Sequence, residues 1–167
     1  MTLVLVGGGA RSGKSNFALQ RATTSSMNLI SKTFIATAER SDDEMTERID
    51  RHRSERGADF ITIEEPLDLA GAIEKSEPGI VIVDCLTVWL SNLMSQRLTP
   101  DYQQIFESSR NFVGEIIFVT NEVGEGIVPM HPTSREFRDL SGKMNQRFAQ
   151  ECDEVYYMHF GIAQKLK

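Results

Sequence analysis

The sequence predicts an α/β fold: a mostly parallel sheet covered by helices on both faces. Three observations carry that expectation. Short apolar runs alternate with helical patterns along all 167 residues. The run Ile80-Val81-Ile82-Val83 is apolar at every position, as a parallel strand buried on both sides requires. The first run, Thr2–Val6, ends in glycines and is followed by a helical pattern, the opening of a βαβ unit.

The elements follow in order. A helix opens near Lys14, with Phe17, Ala18 and Ala22 on one face. Thr33–Thr37 reads as the second strand. Ser41-Asp42-Asp43-Glu44 fits a capping box, starting a helix that runs to about Arg56, where Gly57 supplies the residue after the C-cap. Phe60–Ile63 is the third strand, followed by a short helix over Leu67–Lys75 and a turn at Glu77-Pro78-Gly79. After Ile80–Val83 come helical patterns over Leu86–Gln96 and Asp101–Val113, divided by Pro100, and then a strand over Glu115–Thr120. Thr133 and Glu136 form a second capping box, opening a helix with Phe137, Leu140, Met144 and Phe148 on its inner face. Val155–Met158 closes the sheet. No repeat or linker interrupts this alternation, so one domain over residues 1–167 is expected, large enough to bury its own core.

Composition narrows the function. Eighteen Lys and Arg against twenty-four Asp and Glu give a formal charge of −6, which argues against a nucleic-acid partner. No apolar run approaches the roughly 18–20 residues of a membrane span. The stretch Met1–Val6 is too short for the apolar region of a signal peptide. Cys85 and Cys152 have no metal-ligand or redox spacing and read as reduced, structural thiols. A soluble, cytoplasmic protein is expected.

Gly8-Gly9-Ala10-Arg11-Ser12-Gly13-Lys14-Ser15 matches G-x-x-x-x-G-K-[ST], between a strand and a helix as that motif requires. Such a loop curls its N–H groups around phosphate oxygens. The helix N-terminus adds partial positive charge, Lys14 reaches the outer phosphates, and the Ser15 hydroxyl can ligate Mg²⁺. The dinucleotide pattern G-x-G-x-x-G fails: from Gly7, its third glycine falls on Ser12. The fold expectation becomes a P-loop NTPase-like one. Asp84, at the carboxyl end of the Ile80–Val83 strand, is placed to hold Mg²⁺ or a magnesium-bound water.

Thirteen of the twenty-one residues from Glu39 to Asp59 are charged, which ordinarily means a solvated helix laced with ion pairs. Arg48, His52 and Arg56, however, fall at i, i+4 and i+8, with Arg51 and Arg53 flanking the histidine. Guanidiniums crowding an imidazole disfavour its protonated form and leave a neutral nitrogen, the nucleophile that attack on phosphorus needs. The same arginines could clamp a phosphate chain. From the residues alone, a structural histidine stays open as the alternative. His131, before Pro132, and His159, ending a strand, read as structural.

The ordered set of motifs resembles one family. Beside the phosphate loop it comprises Ile35-Ala36-Thr37, Asp42-Asp43-Glu44-Met45 with Arg48-Ile49 and His52, and Thr120-Asn121-Glu122-Val123-Gly124 with Gly126-Ile127-Val128-Pro129. Phe137-Arg138-Asp139, Asn145-Gln146-Arg147, Asp153-Glu154-Val155 and Gly161-Ile162 complete it. The chain resembles, over nearly its whole length, the bifunctional adenosylcobinamide kinase/adenosylcobinamide-phosphate guanylyltransferase of cobalamin biosynthesis. The resemblance implies two reactions. A nucleoside triphosphate, ATP or GTP, phosphorylates adenosylcobinamide; GTP then gives GMP to a histidine, and adenosylcobinamide phosphate takes it to yield adenosylcobinamide-GDP. It puts the guanylylated histidine at His52 and nucleotide contacts at Gly8–Ser15, Ala36–Ala38 (with Thr37 between them), Arg53–Arg56, Glu64 and Asp84. It also implies Mg²⁺, held by Ser15 and Asp84, and a homotrimer.

Two features depart from the family's pattern: the segment between Asn92 and Glu115 is short, and Arg53-Ser54-Glu55-Arg56 replaces Lys and Gly positions after the histidine. Asn121 and Glu122, ending a strand on the same sheet edge, fit a phosphate sensor or substrate contact, with a solvated loop acid as the alternative for Glu122. Two other classes fit parts of the sequence. A different P-loop small-molecule kinase would leave His52 without a task, and a non-catalytic GTP-binding module would release GTP unchanged.

Overall fold

The computed structural model describes residues 1–24, 31–39 and 59–167. In chain order they form β1 (Thr2–Gly8), α1 (Lys14–Thr24), β2 (Ser31–Ala36), β3 (Ile61–Glu64), α2 (Leu69–Glu74) and β4 (Gly79–Asp84). Then come α3 (Leu86–Ser95), α4 (Tyr102–Asn111), β5 (Gly114–Val119), α5 (Pro132–Glu151), β6 (Glu154–His159) and β7 (Ile162–Lys165). The strands make one sheet in the order β3-β2-β4-β5-β1-β6-β7. Every pair is parallel except β6–β7. The expected α/β class is what the chain adopts.

Side-chain alternation along the central strands divides the core in two. Val4, Val6, Ile80, Ile82, Ile117 and Val119 pack with Ala18 and Ala22 of α1. Leu3, Leu5, Val81, Val83, Ile116 and Phe118 meet the other four described helices on the opposite face. Phe148 is the aromatic hub there, edge-on to Tyr102, Phe106 and Phe118 with ring centroids 6.2, 5.0 and 4.9 Å away. The predicted inner face of the last helix holds, with Met144 and Phe148 buried and Phe137 and Leu140 packed against the core.

Three local expectations need correction. The Thr133/Glu136 capping box does not form: α5 starts two residues earlier, at Pro132, with His131 as N-cap and no side-chain cap bond. Proline at the first helical position has its φ preset and no N–H to satisfy, so it starts the helix without a hydroxyl cap. Val155–Met158 does not close the sheet, because β7 turns back antiparallel on β6. The helix expected from Leu67 begins at Leu69, after Asp68 caps it by accepting from the Gly71 amide at 2.9 Å. Asp101 caps α4 in the same manner, through the Gln104 amide at 3.0 Å.

At the amino-terminal edge of the sheet, Arg21 of α1 forks onto Glu115 of β5 (3.0 and 2.9 Å) and reaches Glu154 of β6 (3.1 Å). This clamp ties three elements together at the edge remote from the phosphate loop. No described helix is long and apolar enough to cross a membrane. Both cysteines are buried and free, as expected.

Candidate active site

The phosphate loop fills the turn between β1 and α1. Gly8 takes φ +147°, and a Cβ there would lie 2.8 Å from both the Met158 carbonyl and Ser12 Oγ, so no side chain fits. Arg11 is exposed and holds a left-handed φ of 55°. The Gly161 amide, in the β6–β7 turn, donates to the Ser12 carbonyl at 3.0 Å and braces the loop from outside. Lys14 heads α1 and is buried; its Nζ donates to the Gly9 carbonyl at 2.5 Å and to Ser12 Oγ at 3.4 Å. A buried ammonium folded onto its own loop, at a helix N-terminus, makes a cationic cradle for phosphate. Ser15, next on the helix, is half-buried.

The other expected residues line up along the carboxyl ends of the strands, where ligands bind in open α/β sheets. Glu64, Ala36 and Asp84 are register neighbours across β3, β2 and β4, and Asp84 is level with Val119 of β5 and Val6 of β1. Strand β5 separates β4 from β1, so Asp84 stands two strand spacings, about 10 Å, from the loop strand. Helix α1 packs across β1, β4 and β5 and bridges that interval. Lys14 is near enough to be felt at the Asp84–Cys85 junction. Burial and the Asp84 charge push the Cys85 thiol up to about 11, and Lys14 partly opposes them. Glu64, exposed at the end of β3, lies four spacings, about 19 Å, from β1. A nucleotide touching both would lie along the sheet edge with its phosphates at Gly8–Ser15 and its base end towards Glu64, passing Ala36, Thr37 and Ala38.

A network of buried and half-buried polar residues holds this edge together, and sequence reasoning gave no role in it to Thr87, Asn92 or Asn145. Thr37 bonds both backbone groups of Cys85, and Asn92 Nδ2 donates to the Thr37 carbonyl at 2.8 Å and to the Pro66 carbonyl at 3.1 Å. Thr87 Oγ1 accepts from the Asn121 amide at 2.7 Å and lies 3.3 Å from Thr120 Oγ1, which donates to Asn145 Oδ1 at 2.7 Å. Asn145 Nδ2 then donates to the Asn121 carbonyl at 3.2 Å. The only signal in the sequence is a polar residue on the inner face of a helix, which periodicity alone does not separate from a surface position. The Glu122 amide donates to the Gly8 carbonyl at 3.0 Å, setting this acid directly beside the loop. Its Oε1 accepts from the Gly124 amide at 2.6 Å. His131 and His159 are exposed, and the His159 ring lies tilted against Tyr157 with centroids 4.5 Å apart. Burial, aided by Glu125, pushes the Tyr157 hydroxyl up to about 12.

His52, Arg53 and Arg56, with Arg48 and the Ser41–Glu44 capping box, lie outside the described residues. Among the described residues, no cluster of three or more His, Cys, Asp or Glu could cage a metal. Mg²⁺ needs no such cage, since it takes one or two protein oxygens and completes its shell with phosphate and water. The hard oxygens of Ser15 and Asp84 suit it.

A family model described as cobinamide kinase / cobinamide phosphate guanyltransferase matches residues 4–166. The chain is 40% identical over 169 residues to the bifunctional adenosylcobalamin biosynthesis protein CobP of Pseudomonas aeruginosa, covering 98% of this chain and 96% of that one. It is 34% identical over 184 residues to the corresponding CobU protein of Escherichia coli, covering 99% of both. The chain belongs to the cobinamide kinase / cobinamide phosphate guanyltransferase family. Its fold is also that of more distant solved structures. The flagellar accessory protein FlaH of Methanocaldococcus jannaschii superposes with a TM-score of 0.53 at 12% identity, covering 99% of this chain and 78% of that one. A second solved structure, an ATPase domain, gives a TM-score of 0.50 at 15% identity, covering 93% of this chain and 68% of that one. For this cobinamide kinase/guanyltransferase, the distant structures bear on the fold alone, and the family likeness bears on the chemistry.

Proposed function

We propose that the chain works through one nucleotide site and one covalent intermediate. In the kinase reaction, the acceptor hydroxyl of adenosylcobinamide attacks the γ-phosphorus of ATP or GTP held at Gly8–Ser15. In the guanylyl reaction, a neutral His52 nitrogen attacks the α-phosphorus of GTP. A P–N bond forms, pyrophosphate leaves, and a phosphate oxygen of adenosylcobinamide phosphate then displaces His52 to give adenosylcobinamide-GDP. Lys14 and the loop amides offset the charge that develops on the phosphates, and they do so from a preorganised site. Mg²⁺, held by Ser15 and Asp84, would neutralise phosphate oxygens when bound. Ala36, Thr37, Ala38 and Glu64 orient the nucleoside end, and Arg53 and Arg56 clamp the phosphates beside His52.

The observation that carries this reading is the buried Lys14 folded onto Gly9, on the same sheet edge as Asp84, in a chain whose family performs both reactions. The single sheet running from Thr2 to Lys165 supports one domain over residues 1–167. The proposed assembly is a cytoplasmic homotrimer, for which light scattering should read three times the chain mass.

The deciding experiment is intact-protein mass after incubation with GTP and Mg²⁺, beside His52→Ala. One added GMP in the parent, absent from the variant, is expected. Folded parent that binds GTP without forming an adduct would overturn the histidine mechanism and leave a kinase.

A further inference from the structure

We infer that the cavity between the loop after β5 and helix α5 is the pocket for the acceptor end of the corrinoid, with Glu122 taking the proton of the hydroxyl that is phosphorylated. This assignment rests on the cobinamide reading above and names the place where that acceptor meets the nucleotide. The cavity is about 380 Å³ and open to solvent. One wall is Glu122 and Gly124; the other is α5, carrying Arg138 with its partner Asp139, Gly142 and Lys143.

Three observations point to an occupant. The first is position: the Glu122 backbone is bonded to Gly8 at the start of the phosphate loop, so one wall of the cavity is anchored to the loop that would hold the nucleotide's phosphates. The second is chemistry. The Gly124 amide fixes Glu122 Oε1 and leaves Oε2 for a ligand, while Lys143 joins no ion pair among the described residues. Arg138 is tied to Asp139 through Nε and Nη2, at 3.1 and 3.0 Å, which orients its guanidinium and leaves the Nη1 donors for a phosphate oxygen. The third is Gly142. Glycine inside a helix costs about 1 kcal/mol relative to alanine. A Cβ at Gly142 would meet nothing within 4 Å, so packing does not ask for glycine there. It keeps the helix face low where the cavity lies, as room for a ligand would require.

The step balances without any further reactant. The acceptor oxygen forms a bond to the γ-phosphorus as its proton passes to the Glu122 carboxylate. The bond from that phosphorus to the β,γ-bridging oxygen breaks, the nucleoside diphosphate leaves, and Glu122 returns the proton to water. Lys143 and Arg138 then hold the phosphate monoester just made, which is the acceptor of the guanylyl step.

The test uses Glu122→Gln, Gly142→Leu and Lys143→Met beside the parent, with three readouts. These are GMP loading from GTP alone, phosphorylation of adenosylcobinamide, and equilibrium dialysis of adenosylcobinamide phosphate. Loading needs no acceptor and reports, for each variant, whether the nucleotide site is intact, so the effect on the corrinoid steps is read relative to it. Glu122→Gln should lower kcat for phosphorylation by about 10²–10⁴-fold with little change in KM. Gly142→Leu and Lys143→Met should raise KM for the corrinoid in both reactions and weaken its binding in dialysis by about tenfold or more. Because Lys143 is exposed, its variant keeps the test decisive if Gly142→Leu folds poorly. Parent-like phosphorylation by Glu122→Gln, or parent-like corrinoid binding by Lys143→Met, would overturn the assignment. A parent that takes no GMP yet phosphorylates cobinamide would overturn the histidine mechanism alone, and one that phosphorylates no cobinamide would overturn the cobinamide reading and this pocket with it.

Discussion

Thr37 and Cys85 are joined by a reciprocal pair of hydrogen bonds: Thr37 Oγ1 donates to the Cys85 carbonyl at 2.9 Å and accepts from the Cys85 amide at 2.8 Å. One buried hydroxyl thus satisfies both backbone groups of the residue that follows Asp84. It locks the end of β2 to the end of β4, the two strands that present Ala36–Ala38 and Asp84, the proposed magnesium ligand. Thr37→Val keeps the shape but strands a buried amide and a buried carbonyl, which should cost about 2–4 kcal/mol. Thr37→Ser keeps the hydroxyl and should recover all but about 1 kcal/mol. Urea unfolding of the three proteins measures both, and GTP binding should weaken in Thr37→Val alone.

Lys14→Met tests the cradle. In the proposed mechanism both reactions use the same ammonium, so GMP loading and cobinamide phosphorylation should each fall by about 10²–10³-fold. Stability should not fall, because the change removes a buried cation from a site that methionine can fill. A melting temperature well below the parent's would mean that Lys14 holds the loop together rather than serving the nucleotide.

Gly114 opens β5 opposite Gly79, the first residue of β4. It takes φ +144°, and a Cβ there would stand 1.9 Å from the Gly79 carbonyl oxygen. Neither backbone can retreat without breaking the register of two central strands. Gly114→Ala should therefore cost about 3 kcal/mol or more, readable as a lower urea midpoint at an unchanged m-value.

The Arg21 clamp sets an acid dependence. Hydrogen bonds from Arg21 above all, then from Tyr156, hold Glu154 down at about 2. A carboxylate whose pKa is depressed by folding adds stability above its unfolded value, near 4.5, and loses it as pH falls towards about 2. Arg21→Met should be less stable than the parent at pH 7, and the gap should narrow between pH 4.5 and 2. Denaturant unfolding at pH 7 and at pH 3 checks this; a gap that stays constant would show that the clamp acts by packing alone.

Legibility in the sequence follows the range of the interactions. The phosphate loop is eight consecutive residues, and Ile80–Val83 is a run with no polar interruption, so both declare themselves locally. Strand β7 does not. Ile162-Ala163-Gln164-Lys165 is short, half polar and on the sheet edge, so it lacks both the alternation and the apolar run of a strand. Its one signal is the turn before it, where Phe160 and Gly161 both take positive φ (51° and 80°), the two-residue hairpin turn in which glycine is favoured second. The bracing roles of Asn92 and Asn145 are illegible for a related reason, since these side chains bond to backbone 55 and 24 residues away.

By itself the sequence determined the α/β class, the phosphate loop with Lys14 and Ser15, the strand-end position of Asp84 and the family. Each of these is written in contiguous residues or in an ordered series of short motifs. Only the tertiary structure decided that β5 lies between β1 and β4, bringing Glu122 against Gly8, and that α5 sets Arg138, Gly142 and Lys143 across a cavity from it. Sheet order depends on which helices cover which face once the whole chain is packed, a balance of distant apolar surfaces that no local run of residues records.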